Sequence, residues 1–298
     1  MLDLRRLRLL AELARHETIA KVADVVGYTP SAVSQALAQL ERETGAALLE
    51  RDGRRVRLTP AARRLVARAD RILAEIELAE SELAAEHAAV RGELSIGTFP
   101  SAAVGLVIPT LRTLRERHPE LRCALRQHEP ETGLDALRAG ALDVLVSERY
   151  DDVAPMPSGG LEAVALMSEP LLVVVGADHP AGDPVELATL ASEPWIAGDP
   201  GTQFDAVLAR TCRAAGYAPR IVHRAGEAAV HQQLVAAGLG VGLLPALARR
   251  GAPPGLRFVR AVPEPPRRHV GALVRQGARR RPAIVAVLDA LIETAATA

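Results

Sequence analysis

Seven apolar residues, Ala62, Leu65, Ala69, Ile72, Ile76, Ala79 and Leu83, stand alternately three and four positions apart, with charged residues between them. That period puts all seven on one side of a single long helix and suits neither a strand nor a loop. Thr59-Pro60 supplies the N-cap and the first-turn proline that open it. At 1.5 Å per residue the helix is ~45 Å long. Such a stripe packs either on its own domain or on the matching stripe of a second copy. The unbroken repeat and the length favour the second copy, with Leu65, Ile72, Ile76 and Leu83 as dimerisation residues of a homodimer or homotetramer.

Upstream, the chain is helical by period. Leu7, Leu10 and Ala14 mark the inner face of a first helix ending near His16. Thr18 caps a second, IAKVADVV, which Gly27 stops, and Thr29-Pro30 opens a third, PSAVSQALAQLERET, running to Gly45. Ala23, Gly27 and Val33 have the spacing of a tight helical hairpin: a small residue at the crossing, a glycine in the left-handed turn, a branched residue filling the crossing point. ERDGRRVRL at 50–58 holds an Asp-Gly turn between strand-like flanks, as in a two-stranded wing. From Glu50 to Arg71 there are eight Arg and three acids, an excess where a winged helix-turn-helix meets phosphates.

Downstream of Arg91 the texture changes to alternating strands and helices. GELSIGT, Leu121–His128 and Val144–Ser147 read as strands, separated by helices at Ala103–His118 and Thr132–Ala139. This predicts a parallel α/β sheet. A Pro/Gly-rich stretch at 154–160 marks a hinge, and a second βα series runs from LLVVVGA to VGLLP. The helix Pro282–Thr294 is expected to return to the first α/β unit. The divisions are 1–58, 59–90 and 91–298, the last split into one lobe of about 91–160 plus 266–298 and another of about 161–265.

Composition excludes several classes. The 36 Lys+Arg and 36 Asp+Glu balance, so the chain is not basic throughout, and 2% aromatic residues are too few for a base-stacking single-strand binder. Two cysteines, Cys123 and Cys212, make neither a disulfide scaffold nor a Cys-rich zinc site, and buried reduced thiols in a cytoplasm are the expectation. MLDLRRLRLL has charges where a signal peptide needs an apolar run. The uncharged 228–248 stretch contains glutamines, glycines and a proline and reads as helix, turn and buried strand rather than a membrane span. There is no G-x-S-x-G or H-E-x-x-H, and Gly238, Gly240 and Gly242 follow a helix, the wrong order for a dinucleotide site. No enzyme activity, cofactor or metal is expected, an α/β enzyme being the remote alternative.

With these features in place, YTPSAVSQALAQLERETGAALLERDGRRVRLTPAARRL (28–65) resembles the DNA-binding segment of LysR-type transcriptional regulators, and GLGVGLLP (238–245) carries a weaker likeness. The resemblance spans essentially the whole chain. It implies a mixed fold: an N-terminal winged helix-turn-helix, a linker helix, and a two-lobed α/β effector domain like periplasmic solute-binding proteins. It implies double-stranded promoter DNA, a small-molecule effector and the chain itself as partners, and it admits RNA polymerase; an effector-independent repressor or architectural binder is the alternative. By resemblance Thr29, Pro30, Ser31, Ser34 and Gln35 address the major groove, and Arg54 and Arg55 at the wing tip suit the minor groove or phosphates. Ile19 replaces the family's usual aromatic and Gln35 its usual Arg, which shifts the expected preference from guanine towards adenine edges.

A ligand between α/β lobes sits near the carboxyl ends of strands. Thr98, Pro100 and Ser101, at a strand-to-helix turn, are candidates for an anion cradle or for an ordinary helix N-cap. Ser147, Glu148 and Arg149 follow another strand end. Arg149 with Thr98 suits a carboxylate, and Asp151 or Asp152 an amine. The family places effector contacts at positions matching Gly198, Gly201, Thr202, His223 and Glu227, although a histidine such as His223 on an apolar strand is more often structural than ligand-binding. An anionic effector is expected.

Overall fold

The computed structural model describes residues 2–52, 55–86, 90–151 and 160–298. Its N-terminal unit is α1 (Leu4–His16), α2 (Ile19–Val26), α3 (Pro30–Thr44), the antiparallel pair β1 (Leu49–Asp52) and β2 (Arg55–Leu58), and the long α4 (Pro60–Glu86). The caps are local chemistry: Thr18 and Thr29 hydroxyls accept from the backbone N–H groups of Lys21 and Ala32, and Gly27 takes the left-handed turn between α2 and α3. Leu7, Leu10, Val22, Val33, Leu37 and Leu40 form its core.

The repeat on α4 divides between two environments. Ala62 and Ala69 are fully buried in the N-terminal core and Leu65 packs against it, because α1 lies across this half of the helix. Leu65, expected at a contact with a second copy, packs in part against the core of its own chain. Beyond it Ile72 and Leu83 are exposed and Ile76 is half-buried.

The opposite side of α4 seats the first lobe of the same chain. Gly277 sits so close to α4 that a Cβ there would lie 2.7 Å from Leu78 N and press on Ala74 O. Ser81 Oγ donates to Gly277 O at 2.8 Å, and Arg275 pairs with Glu77. His16 Nε2 lies 3.6 Å from Asp135, and Arg8 approaches Gly140.

That lobe is a five-stranded sheet in the order β4 (Leu121–Gln127), β3 (Gly92–Thr98), β5 (Val144–Tyr150), β14 (Arg268–Arg275), β6 (Leu161–Glu169). The first three are parallel; β14 runs antiparallel to both β5 and β6. The parallel pairing expected of β3, β4 and β5 is observed, and β14, which was not expected, makes the sheet mixed, since the chain re-enters from the other lobe in the reverse direction. The helix Pro282–Ala296 packs Ile284, Val287, Leu288 and Leu291 into this lobe's core.

The second lobe has the antiparallel order β11 (Gly242–Pro245), β7 (Leu171–Gly176), β12 (Leu256–Val259), the parallel pair β9 (Pro194–Ala197) and β10 (Arg220–Arg224), and the short parallel pair β8 (Val185–Glu186) and β13 (Ala261–Val262). A bridge between Trp195 and Val241 joins β9 to β11. Because β6 belongs to the first sheet, the expected lobe boundary at 161 moves to Pro170. The two crossovers lie between Glu169 and Leu171 and between Val262 and Arg268. Of the expected hinge at 154–160, only Gly160 lies within the described residues.

Candidate functional site

Two surfaces carry the expected residues. On α3, Val33, Leu37 and Leu40 face the core while Pro30, Ser31, Ser34 and Gln35 are exposed on the other side, with Thr29 capping the first turn. Thr29 spends its hydroxyl on Ala32 N–H, so its role in the structure is to set where α3 begins. Arg54 lies outside the described residues, and Arg55 opens β2 beside them.

The second surface is a cleft of about 320 Å³ between the lobes. The first lobe contributes Phe99, Pro100 and Ser101 after β3, Glu129 after β4, Glu148 and Tyr150 at the end of β5, and Arg268 at the start of β14. The second contributes Asp199 after β9, then Gly201 through Phe204, with Gly226, Ala228, Leu244 and Pro245. Each wall is a strand end running into a helix start, where parallel strands leave an open crevice. Thr202 caps the helix Gln203–Ala214 by accepting from Asp205 N–H at 3.2 Å. Gly198 lies beneath: a Cβ there would stand 2.8 Å from Phe204 Cδ1, so only glycine lets the phenyl ring turn back over the loop.

Arg268 organises the floor. It is 3% exposed and shares strand parity with the inward Val270, Ala272 and Val274. Its guanidinium donates to Glu169 Oε1 at 2.6 and 2.9 Å, to Glu148 Oε2 at 2.7 Å and to Ser101 Oγ at 3.0 Å, and it lies 5.0 Å from the centre of the Phe99 ring. Burial pulls the guanidinium pKa down, but Glu148 and Glu169 more than offset it, so it stays charged. Burial pushes the Glu148 carboxyl up, against the pull of Arg268. The Tyr150 phenol is raised chiefly by burial and stays neutral. Glu169 also accepts Leu247 N–H from the second lobe at 2.5 Å, so this one cluster touches β5, the first-lobe end of each crossover and the turn after β11.

The expected effector residues divide accordingly. Pro100, Ser101, Glu148, Gly201 and Thr202 line the cleft. Thr98 does not: it is fully buried, with its hydroxyl turned to Phe99 O at 3.4 Å. Ser147 and Arg149 line a separate hollow on the outer face of β5, β14 and β6. His223 lies on β10 outside the lining, and Gly198 supports it from below. Glu227 bridges the lobes instead, accepting from Gln127 Nε2 at 3.2 Å. Asp151 is held by His269 and Arg267 N–H away from the cleft, and Asp152 lies outside the described residues.

Glu129, Tyr150, Asp199 and Arg268 went unread in the sequence, although an arginine in phase with three buried strand residues was a signal for the last. The expected anionic effector does not suit this lining. Glu129, Glu148 and Asp199 bring three carboxylates, and the one guanidinium is already bonded to Glu148 and Glu169.

Comparison with known proteins bears on both surfaces. A family model described as bacterial regulatory helix-turn-helix protein, lysR family, matches residues 4–63, and one described as LysR substrate binding domain matches residues 87–296. A probable hydrogen peroxide-inducible genes activator of Streptomyces viridosporus is 32% identical over 246 residues, 82% of this chain and 77% of the relative. The uncharacterized HTH-type transcriptional regulator YnfL of Escherichia coli (strain K12) is 32% identical over 254 residues, 84% of each chain. Among solved structures, a full-length cysteine variant of OxyR from Pseudomonas aeruginosa shares the fold, with a TM-score of 0.68 at 23% identity over 98% of this chain and 95% of that one. An H2O2-bound cysteine variant of OxyR from Corynebacterium glutamicum gives a TM-score of 0.57 at 27% identity, covering 99% of this chain and 95% of that one. No helix among the described residues is long and apolar enough to cross a membrane.

Proposed function

Because the chain belongs to the LysR family of DNA-binding transcriptional regulators, we propose that it reads promoter DNA through α3 and the wing, as a homodimer or a dimer of dimers, under control of a small molecule held between its lobes. The exposed face of α3 offers Ser31, Ser34 and Gln35 to base edges, and the arginine excess at 50–71 addresses phosphates. Pairing through Ile72, Ile76 and Leu83 would set two reading helices on half-sites about one helical turn, ~34 Å, apart or a multiple of it. Its place of action is the cytoplasm, where promoter and RNA polymerase are met.

One observation carries the effector reading: the cleft takes its walls from both lobes and its floor from an arginine cluster at the crossovers. A ligand there touches both bodies and the pivot, so it favours one degree of closure over another. Coupling of about 1–3 kcal/mol, roughly 5–150-fold in affinity, is the ordinary range for such linkage. The test is a mobility shift on intergenic DNA beside the gene, with and without a metabolite panel. Specific retardation altered by one compound, and lost with Ala228→Trp filling the cleft, is expected; a shift insensitive to every compound and to that variant refutes effector control.

A thiol switch does not explain this chain, although a relative is named for peroxide induction. Burial raises both thiols, Cys123 to about 11, where a reactive cysteine needs a lowered pKa. Cys212 is buried in the second lobe's core while Cys123 packs against the first lobe's core. Mass spectrometry after mild peroxide should find no Cys123–Cys212 disulfide in the folded protein, and finding one would refute this.

A further inference from the structure

We infer that the cleft selects an organic cation, an ammonium or guanidinium carried on a small apolar body; the inference rests on the cleft being the effector site. The first ground is charge. The lining holds three carboxylates and one guanidinium, a formal charge of −2. That guanidinium makes its bonds to Glu148, to Glu169 just behind the lining, and to Ser101, so it is not available to recognise an incoming anion. Asp199 has no ion-pair partner among the described residues, and it stands on the wall opposite Glu148. The helix start at Gln203 does not reverse this sign, because Asp205 already occupies its first turn.

The second ground is the distribution of aromatic rings. The chain has three Phe, three Tyr and one Trp. Phe99, Tyr150 and Phe204, three of those seven, line this one cleft. Rings beside carboxylates are the arrangement that holds a cation: the ring faces attract it and the carboxylates neutralise it. The site displays the principle internally, since the Arg268 guanidinium lies 5.0 Å from the centre of the Phe99 ring.

The third ground is an unmet acceptor. The Gln203 side-chain oxygen is buried, and it has no hydrogen-bond partner among the described residues. Gln203 lines the cleft, and a turn of its side chain on ligand entry would bring this oxygen to a donor, which an ammonium or guanidinium supplies. The volume of about 320 Å³ lies at the small end of ligand pockets, which suits a compact monocation with one apolar group rather than a polyamine chain.

The experiment uses the purified full chain and a matched set of probes: benzylammonium and butylguanidinium against benzoate and benzyl alcohol, by calorimetry at low and high salt. Binding of a cation at least about tenfold tighter than of the anion or the alcohol is expected, weakening with salt. Asp199→Asn should lower cation affinity about tenfold or more with the unfolding midpoint of the protein retained, and Glu129→Gln, separately, should lower it in the same direction. If one of these variants fails to fold, the other serves. Benzoate binding preferentially, with its binding abolished by Ala228→Trp and unaffected by Asp199→Asn, would overturn the charge assignment while leaving the effector reading standing. If no probe or metabolite of either charge binds, and Ala228→Trp alters no promoter response, both fall.

Discussion

Replacing Arg268 with methionine keeps much of the side chain's length and removes its charge. Glu169 and Glu148 then lose the partner that holds them at 2.6–2.9 Å, in surroundings where the arginine itself is only 3% exposed. Removing one partner of a buried ion pair costs about 3–5 kcal/mol. For a unit of roughly 150–250 residues, 1 kcal/mol moves the midpoint by about 2–4 °C, so a fall of roughly 6–20 °C is expected. The pH dependence has a definite sign. The Glu148 carboxyl is already raised by burial, and loss of the guanidinium raises it further. A carboxyl raised in the folded state binds more protons there than when unfolded, so stability falls as pH rises through the folded-state pKa. The deficit of Arg268→Met should therefore be smaller near pH 5 than near pH 8. Adding Glu148→Gln and Glu169→Gln should recover part of it and flatten the difference. Calorimetric unfolding of the three proteins at both pH values is the assay. A single mutant within about 1 kcal/mol of the parent at pH 8, or a deficit that grows on acidification, would refute the reasoning.

Three further outcomes test other parts of the molecule. Gln35→Ala should relax base preference at one position per half-site by about 1–3 kcal/mol, read by competition with single-base variants of the operator; an equal loss on random DNA would assign Gln35 to phosphates instead. Ile72→Glu with Ile76→Glu should yield monomers by sedimentation and abolish cooperative half-site binding, whereas a dimer that persists would place the subunit contact elsewhere. Gly277→Ala should destabilise by about 1–3 kcal/mol, because its Cβ meets α4 backbone, and should speed hydrogen exchange across residues 74–81; unchanged exchange would mean that this contact does not hold the helix.

The elements of the N-terminal unit were legible because their signals are local. Thr18, Gly27, Thr29-Pro30 and Thr59-Pro60 fix helix ends by chemistry acting over three or four residues. The heptad on α4 was legible as a helix but not as a partner choice. Period says which residues share a face, and only the fold says that α1 takes Leu65 and leaves Ile72. In the effector domain the βα alternation stood out, whereas β6 and β14 were missed because their pairing joins residues about 100 positions apart. That miss hid the cleft floor, since Arg268 meets Glu148 and Glu169 only once β14 lies between β5 and β6. Thr98 misled for a related reason: a hydroxyl at a strand end is as readily turned into the core as out of it.

The contacts that bind Gly277 and Arg275 to α4, and those that bring His16 to Asp135 and Arg8 to Gly140, are all made by the first lobe. The DNA reader and that lobe therefore share one frame of reference, and a ligand that closed the cleft would displace the second lobe relative to both. A solitary subunit that captured its ligand would present the same reading helix to DNA before and after. The message would then be carried by the travel of the second lobe's outer surface, and would be legible only to whatever that surface presses against. Regulation would then be a property of the assembled oligomer, and a monomeric variant would bind ligand faithfully while having nothing to report it to.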